Sequence, residues 1–310
     1  MENRKEIIRI RSFAKINMGL EIVGRRSDGF HDLKTIFQTI SLYDILEFSE
    51  NKSGNIQLSG NLKSVSWDKS NTIYKMADII YRNFNIKKGI SIKVKKKIPP
   101  GAGLGGGSSN AAVTLLFLNN YFKLNIPFSN MIALSKSIGA DIPFFLIGGT
   151  ALGEGIGDLL TPLDVFGEKK IAIIFSPKEV STKLVFSKVN LTKNELKSKI
   201  DIFLSSGDIS VLENQLELSA FGIFPELGSV KTMIEDMGLN YVSMSGSGSA
   251  FFCFPNGQQI KALRTKFPSL FIGETLNRKN YFNRIGASPS GKASVFGADT
   301  RRFESSRPRE

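Results

Sequence analysis

The sequence predicts an α+β protein of two lobes, and three observations carry that prediction. At 310 residues the chain is long enough for two modest domains sharing one interface. Its strand-like runs are followed by groups of helical patterns and do not alternate as regular βαβ units. The pattern also breaks near residues 160–168, where Pro162, Asp164, Gly167 and Glu168 gather. The expected units are residues 1–162, residues 163–284 and a tail, 285–310.

Each element has its own local signal. Ile7-Ile8-Arg9-Ile10-Arg11 alternates as a strand, Lys15 to Val23 is a second apolar segment, and Thr35 to Ile40 continues the β character. Asn71 is placed to cap a helix whose apolar positions Ile73, Ala77, Ile80 and Phe84 share one face. Ile90 to Val94 alternates again and runs into Pro99-Pro100. A glycine-rich loop follows, then an apolar helix from about Ser109 to Phe122 and another from Ser129 to Gly139. Asp141 precedes Ile142-Pro143, whose proline keeps Ile142 out of the helical region, so its carboxylate is expected at a helix-to-strand turn. Past the break, Ile171 to Phe175 reads as a buried strand and Lys193–Leu204 and Glu226–Met237 as helices. Tyr241–Met244 and Ala250–Phe254 read as strands. After about Ile285 the apolar periodicity stops and Gly, Ser, Ala and Arg dominate, so the tail reads as disordered.

Composition narrows the function. No apolar leader opens the chain, and the longest apolar stretch, Ile142 to Leu152, falls short of the roughly 20 residues that span a bilayer. A single cysteine, Cys253, excludes an internal disulfide, and one Cys with one His disfavours a zinc site. A cytoplasmic protein with no membrane association is expected. The net charge of +13 invites a nucleic-acid reading. Its basic residues are nevertheless spread along the chain, with one dense run at Lys93, Lys95, Lys96 and Lys97. Positive potential equally steers polyphosphate substrates, so charge alone decides nothing.

The most informative stretch is Pro99-Pro100-Gly101-Ala102-Gly103-Leu104-Gly105-Gly106-Gly107-Ser108-Ser109-Asn110-Ala111-Ala112. Five glycines in seven residues allow positive φ and close backbone approach, so several N–H groups can converge on one anion. The apolar helix behind the loop adds the positive end of its dipole, and Ser108 and Ser109 add hydroxyls. No Gly-Lys-Ser/Thr closes it, so it is not a Walker loop, and its spacing fails the dinucleotide fingerprint. A flexible linker is the ordinary alternative. Pro-Pro on one side and an apolar helix on the other argue against it.

That loop resembles the ATP-binding motif of the GHMP kinases, the superfamily of galactokinase, homoserine kinase and mevalonate kinase. Four further stretches resemble one branch, which phosphorylates a cytidine diphosphate-linked polyol of the non-mevalonate isoprenoid pathway. They are Ala14-Lys15-Ile16-Asn17, Asp28-Gly29-Phe30-His31, Gly139-Ala140-Asp141-Ile142-Pro143 and Met244-Ser245-Gly246-Ser247-Gly248-Ser249. The resemblance implies an N-terminal ATP-binding lobe, shared in topology with a ribosomal protein domain, and a C-terminal α/β sandwich lobe. It implies ATP as phosphoryl donor, Mg2+ from the reaction class, a small-molecule acceptor, no nucleic acid, and a monomer or homodimer.

It also implies roles. Asp141 becomes the base that takes the acceptor's hydroxyl proton; alone it would read as a turn or cap residue. Lys15, otherwise an edge-strand lysine, becomes the cation that stabilises the charge on the moving phosphoryl group. Asn17 would bind polyol hydroxyls, and Phe30, His31 and Phe186 would border the cytidine, the two phenylalanines sandwiching the base. Phe30 stands where the family often has tyrosine. Asn71 and Lys96 match positions near adenine. The Ser245–Ser249 stretch is either a second loop near the substrate phosphates or a tight hairpin. Competing readings are a homoserine or mevalonate kinase, a non-catalytic ATP-binding protein on this fold, and a nucleic-acid binder. The Asp28–His31 stretch and the two aromatics argue against the first, retention of both Lys15 and Asp141 against the second, and the glycine loop with Asp141 against the third.

Overall fold

The computed structural model describes residues 6–176, 178–190 and 197–287. β1 (Ile8–Arg25) and β2 (His31–Asn51) form one long antiparallel hairpin. Register shifts between Phe13 and Lys15, and again between Asn17 and Gly19, interrupt its alternation. That is why the sequence read as separate short segments. β3 (Ile56–Gly60), α1 (Thr72–Asn83) and β4 (Gly89–Lys95) follow, with β3 lying parallel to β4. Asn71 caps α1 by accepting from the Ile73 amide at 3.0 Å, and Ile73, Met76, Ala77 and Ile80 supply the buried face.

α2 (Gly106–Tyr121) is buried from Ser109 to Leu118 on all sides. It starts three residues earlier than the apolar pattern indicated, because its first turn is made of loop glycines. α3 (Phe128–Lys136) leads to α4 (Ile142–Ile147), for which Asp141 is the N-cap residue and Pro143 lies in the first turn. The expected turn into a strand is therefore a turn into a short helix. Proline is well tolerated there, since its missing N–H would have no intrahelical partner. β5 (Thr150–Gly155) then pairs with β2, and β6 (Leu159–Leu163) pairs with β5.

A second sheet opens with β7 (Lys170–Ile174). Helices α5 (Thr182–Ser187), α6 (Lys199–Ser206), α7 (Leu216–Ile223) and α8 (Pro225–Glu235) come next. Residues 193–196 of the helical run expected at Lys193–Leu204 lie outside the described residues. β8 (Val242–Met244), β9 (Phe251–Cys253), α9 (Gly257–Lys266) and β10 (Phe271–Glu274) complete an antiparallel sheet of order β10-β7-β9-β8. The two sheets share a core in which Ile16, Met18, Ile36 and Ile40 meet Ile171, Ile173, Phe203 and Phe252. The α+β prediction holds, as two sheets with helices packed on them.

The chain then returns to where it began. α10 (Arg278–Ile285) and β11 (Gly286–Ala287) leave the second sheet and close on β1, with Arg9 opposite Ala287 and Ile10 opposite Gly286. Tyr281, Phe282 and Ile285 join the core under the first sheet, and the Tyr281 hydroxyl donates to the Phe145 carbonyl at 2.6 Å. A tail beginning at Ile285 is thus corrected, because Ile285 is fully buried and the next two residues form an edge strand. The expected disordered tail lies, from residue 288, outside the described residues. The expected second unit, 163–284, is also not self-contained, since its last helix packs on the first sheet. Among the described residues no helix is long and apolar enough to cross a membrane.

Candidate active site

Two register shifts in β1 bracket Lys15 and Asn17, and the Lys15 stem packs against Gly105 at the start of α2. The Lys15 amide donates to the Leu104 carbonyl at 3.0 Å, tying β1 to the glycine loop. Its ammonium donates to Asn17 Oδ1 at 2.6 Å and stands 3.6 Å from Asp141 Oδ2. The Lys15 side chain is only 5% exposed whereas that of Asp141 is 36% exposed, so the pair has one buried and one open member. Asn17 Nδ2 donates to Thr35 Oγ1 at 2.9 Å, and that hydroxyl donates to the Gly19 carbonyl at 2.6 Å. Each polar atom of the cluster is thereby oriented by a neighbour, which favours one fixed geometry.

Asp141 occupies the cap position of α4 without accepting a capping hydrogen bond. Its carboxylate is therefore not spent on the helix and stands toward Lys15, and the ordinary reading of a cap residue does not account for it. Local folding supplies the placement, and packing of Phe144 and Phe145 fixes it.

The glycine loop is held at both ends. Gly103 and Gly105 have φ of +74° and +67°, and a Cβ on Gly103 would fall 1.9 Å from the Ser245 carbonyl oxygen. Only glycine fits there. A Cβ on Gly105 would fall 2.8 Å from Phe145 Cζ and 3.0 Å from Lys15 Cγ. Ala102 and Leu104 are buried and act as pins, which leaves the first-turn amides of α2 as the unsatisfied donors of a helix N-terminus. Pro99, Pro100 and Gly101 form the approach to this turn. Gly105→Val is expected to abolish measurable ATP binding and also to lower the melting temperature. The αL conformation costs an L residue about 1–2 kcal/mol and overpacking about 1–3 kcal/mol more. A melt with and without ATP checks both; an undiminished ATP shift would refute the cradle.

Not every expected contact is found. Ser108 is half-buried on the first turn of α2, but Ser109 is fully buried and shares a 2.7 Å hydrogen bond with Ser12. The expectation of a phosphate-facing Ser109 is corrected: its hydroxyl fastens α2 to β1. Asn71 spends its oxygen on Ile73 and its amide on the Ser66 carbonyl at 2.7 Å. Its neighbour Thr72 reaches the Gly107 carbonyl at 3.2 Å, which places the start of α1 beside the loop. Lys96 is no solvated member of its lysine run. Its ammonium is turned inward onto Asp44 Oδ2 at 2.5 Å, with side-chain exposures of 5% and 0%. It lies under Gly106, whose added Cβ would stand 2.9 Å from Lys96 Nζ.

The expected aromatic pair is rearranged as well. Phe186 packs against His31 with ring centroids 5.4 Å apart and planes at 31°. Phe30 stands 60% exposed on the β1–β2 turn, where Asp28 Oδ1 accepts from its amide. The guanidinium of Arg26 holds the Asp28 carboxyl below its ordinary range, so this turn keeps its charge pair. The three residues expected to border the cytidine thus meet at one bend: Phe30 is exposed on the turn, and His31, next to it in the chain, contacts Phe186.

Several site residues escaped sequence reasoning. Asp44 alternates with Leu42 and Leu46 on an inward face, and that inward carboxylate was a legible signal. Thr35 gave none, because what marks it is a partner in another part of the chain, and the Ser245–Ser249 stretch was legible as a candidate loop but not in what Ser245 touches. The Asn17 amide donates to Ser245 Oγ at 3.3 Å, and that hydroxyl donates to the Gly103 carbonyl at 2.9 Å. The Ser245–Ser249 stretch is therefore the turn of a tight β8–β9 hairpin, and that turn is locked onto the first loop.

Comparison with known proteins bears on the family and the fold. Residues 71–149 match the GHMP kinases N terminal domain, a span that runs through the glycine loop and Asp141. The chain is 36% identical over 279 residues to a 4-diphosphocytidyl-2-C-methyl-D-erythritol kinase of Clostridium botulinum, covering 86% of this chain and 99% of that relative. A second, from Clostridium perfringens, is 35% identical over 291 residues, covering 88% and 100%. A crystal structure of 4-(cytidine 5'-diphospho)-2C-methyl-D-erythritol kinase superposes with a TM-score of 0.75 at 33% identity, covering 86% of this chain and 99% of the other. Homoserine kinase from Cytophaga hutchinsonii reaches a TM-score of 0.69 over 90% of this chain and 97% of that one, but at 18% identity it bears on the fold alone.

Proposed function

This chain belongs to the 4-diphosphocytidyl-2-C-methyl-D-erythritol kinases of the GHMP kinase superfamily, and from that premise we propose which residues perform the transfer. The reaction is ATP-dependent phosphorylation of the 2-hydroxyl of 4-diphosphocytidyl-2-C-methyl-D-erythritol, giving the 2-phosphate and ADP, a step of isoprenoid precursor biosynthesis. The observation that carries the residue assignment is the Lys15–Asp141 pair at 3.6 Å beside the mouth of the glycine loop.

In this reading the amides of the first α2 turn hold the ATP phosphates. Asp141 accepts the hydroxyl proton as the acceptor oxygen attacks the γ-phosphorus and ADP leaves. Lys15 stabilises charge on the attacking oxygen and the transferred group, and Asn17 Oδ1 keeps its ammonium aimed. Magnesium belongs to the same proposal. It usually takes one or two protein oxygens plus the substrate phosphates and no all-protein cage. Among the described residues no group of three or more His, Cys, Asp or Glu forms such a cage, so any ion here would lean on the substrate phosphates. The half-buried Ser108 hydroxyl, on the first turn of α2, is an oxygen that would hold the ion beside the phosphates. When bound, the ion would neutralise phosphate charge. A cytosolic setting is supported by the single, buried Cys253.

A coupled ADP-release assay with the diphosphocytidyl polyol, homoserine and mevalonate tests the acceptor. Turnover confined to the polyol is expected, and preference for homoserine or mevalonate would overturn the assignment. The cytidine contact is tested by Phe186→Ala. If base–aromatic stacking contributes roughly 1–3 kcal/mol, KM for the cytidine substrate should rise about 5- to 150-fold with KM for ATP nearly unchanged. A matched loss for both nucleotides would make Phe186 a packing residue for His31.

A further inference from the structure

We propose that Asn214, two residues before α7, is a positioning residue for phosphoryl transfer that sets the second glycine loop against Lys15 and Asn17. Asn214 is 4% exposed, and its side chain makes three hydrogen bonds. Nδ2 donates to the Met244 carbonyl and to the Gly246 carbonyl, each at 2.7 Å, while Oδ1 accepts from the Leu216 amide at 3.0 Å.

The last of these bonds is a helix-start contact that Asp, Ser or Thr would satisfy equally. The first two are what an amide adds: a pair of donors on the same short side chain as an acceptor. Those donors reach 30 and 32 residues along the chain, to the two sides of Ser245. Ser245 is the residue that meets Gly103 and the Asn17 amide.

The backbone on either side of Asn214 is fixed as well. The Leu20 amide donates to the Glu213 carbonyl and the Gln215 amide donates to the Leu20 carbonyl, both at 2.9 Å. Leu20 lies on β1, the strand that carries Lys15 and Asn17. Asn214 therefore measures a fixed distance from that strand to the loop. Gly246 shows how little slack the distance has: a Cβ there would fall 3.0 Å from Asn17 Oδ1 and 3.6 Å from Lys15 Nζ. Movement of this peptide reaches the reacting pair directly, and misplacement of about 1 Å costs on the order of 100-fold in rate.

This inference rests on the assignment of Lys15 to the transfer centre, and its test separates the two. Asn214→Asp keeps the shape and the Leu216 acceptor but turns a carboxylate toward two carbonyl oxygens. Asn214→Ser keeps an acceptor and removes both donors without adding charge. In the full chain, kcat at saturating ATP and polyol is expected to fall about 10- to 100-fold in the Asp variant and less in the Ser variant, with both KM values within about threefold of wild type. A merely structural asparagine would lower the melting temperature and leave kcat per folded molecule unchanged. Retention of kcat within about twofold in either folded variant overturns the proposal, as does failure of both variants to fold. If Lys15→Met is inactive while Asn214→Asp is active, only this inference fails. If Lys15→Met is active, the reading of the centre fails with it.

Discussion

Asp141→Asn is expected to fold, to bind ATP, and to turn over about 100- to 10,000-fold more slowly than wild type, the range that a general base contributes. The replacement is nearly isosteric. It keeps a side chain of the same shape beside Lys15 but cannot take a proton from the acceptor hydroxyl. Stability should change little, because the Asp141 side chain makes no capping bond to α4 and is already 36% exposed. The exposed member of an ion pair contributes about 0–1 kcal/mol, so the fold does not depend on it. Steady-state kinetics beside a thermal melt separate the two quantities. A variant that keeps more than about a tenth of kcat has had its barrier raised by under roughly 1.4 kcal/mol, too little for loss of a base.

Lys15→Met comes next in size, with kcat expected to fall about 100- to 1,000-fold and both KM values to move only modestly. Methionine fills the volume of the stem that packs beneath Gly105, so the loop keeps its floor. What disappears is the ammonium, 3.6 Å from Asp141 and 5.4 Å from the centroid of Phe37. Stability is expected to fall slightly, because Asn17 Oδ1 loses its donor, and a buried acceptor left unmade costs about 1–3 kcal/mol. For a protein of this size that corresponds to a few degrees in Tm. An unchanged kcat with weaker substrate binding would make Lys15 a binding residue instead.

The chemistry of this site was more legible than its architecture. Lys15, Asn17, the glycine loop and Asp141 stand in short stretches whose residue types announce phosphate handling, and the fold brings these stretches together. The orientation of side chains within those stretches was not legible. Ser108 and Ser109 are adjacent and chemically equal in the sequence, yet a helix turns consecutive residues by about 100°, so one faces the loop and the other faces Ser12. Lys96 could not be told from Lys95 or Lys97 until Asp44 was seen behind it. The long strands β1 and β2 were obscured because bulges break the two-residue period by which strands are recognised. The closing helix α10 was obscured because its charged and polar positions outnumber the three that are buried.

The return of residues 278–287 to β1 has a consequence for how the protein is made. Translation delivers Arg9 near the beginning and its edge partner Ala287 near the end. At roughly 5–20 residues per second a ribosome needs on the order of 15–60 s to cover that interval. Throughout it, the nascent first sheet presents an unpaired strand edge and lacks Tyr281 against Phe13 and Phe145. Unpaired edges and uncovered aromatic surface are what draw nascent chains into aggregates or onto chaperones. The half of the molecule synthesised first is therefore the half completed last, and a transcript cut short before α10 would yield a sticky fragment where a self-sufficient nucleotide-binding lobe might have been sought.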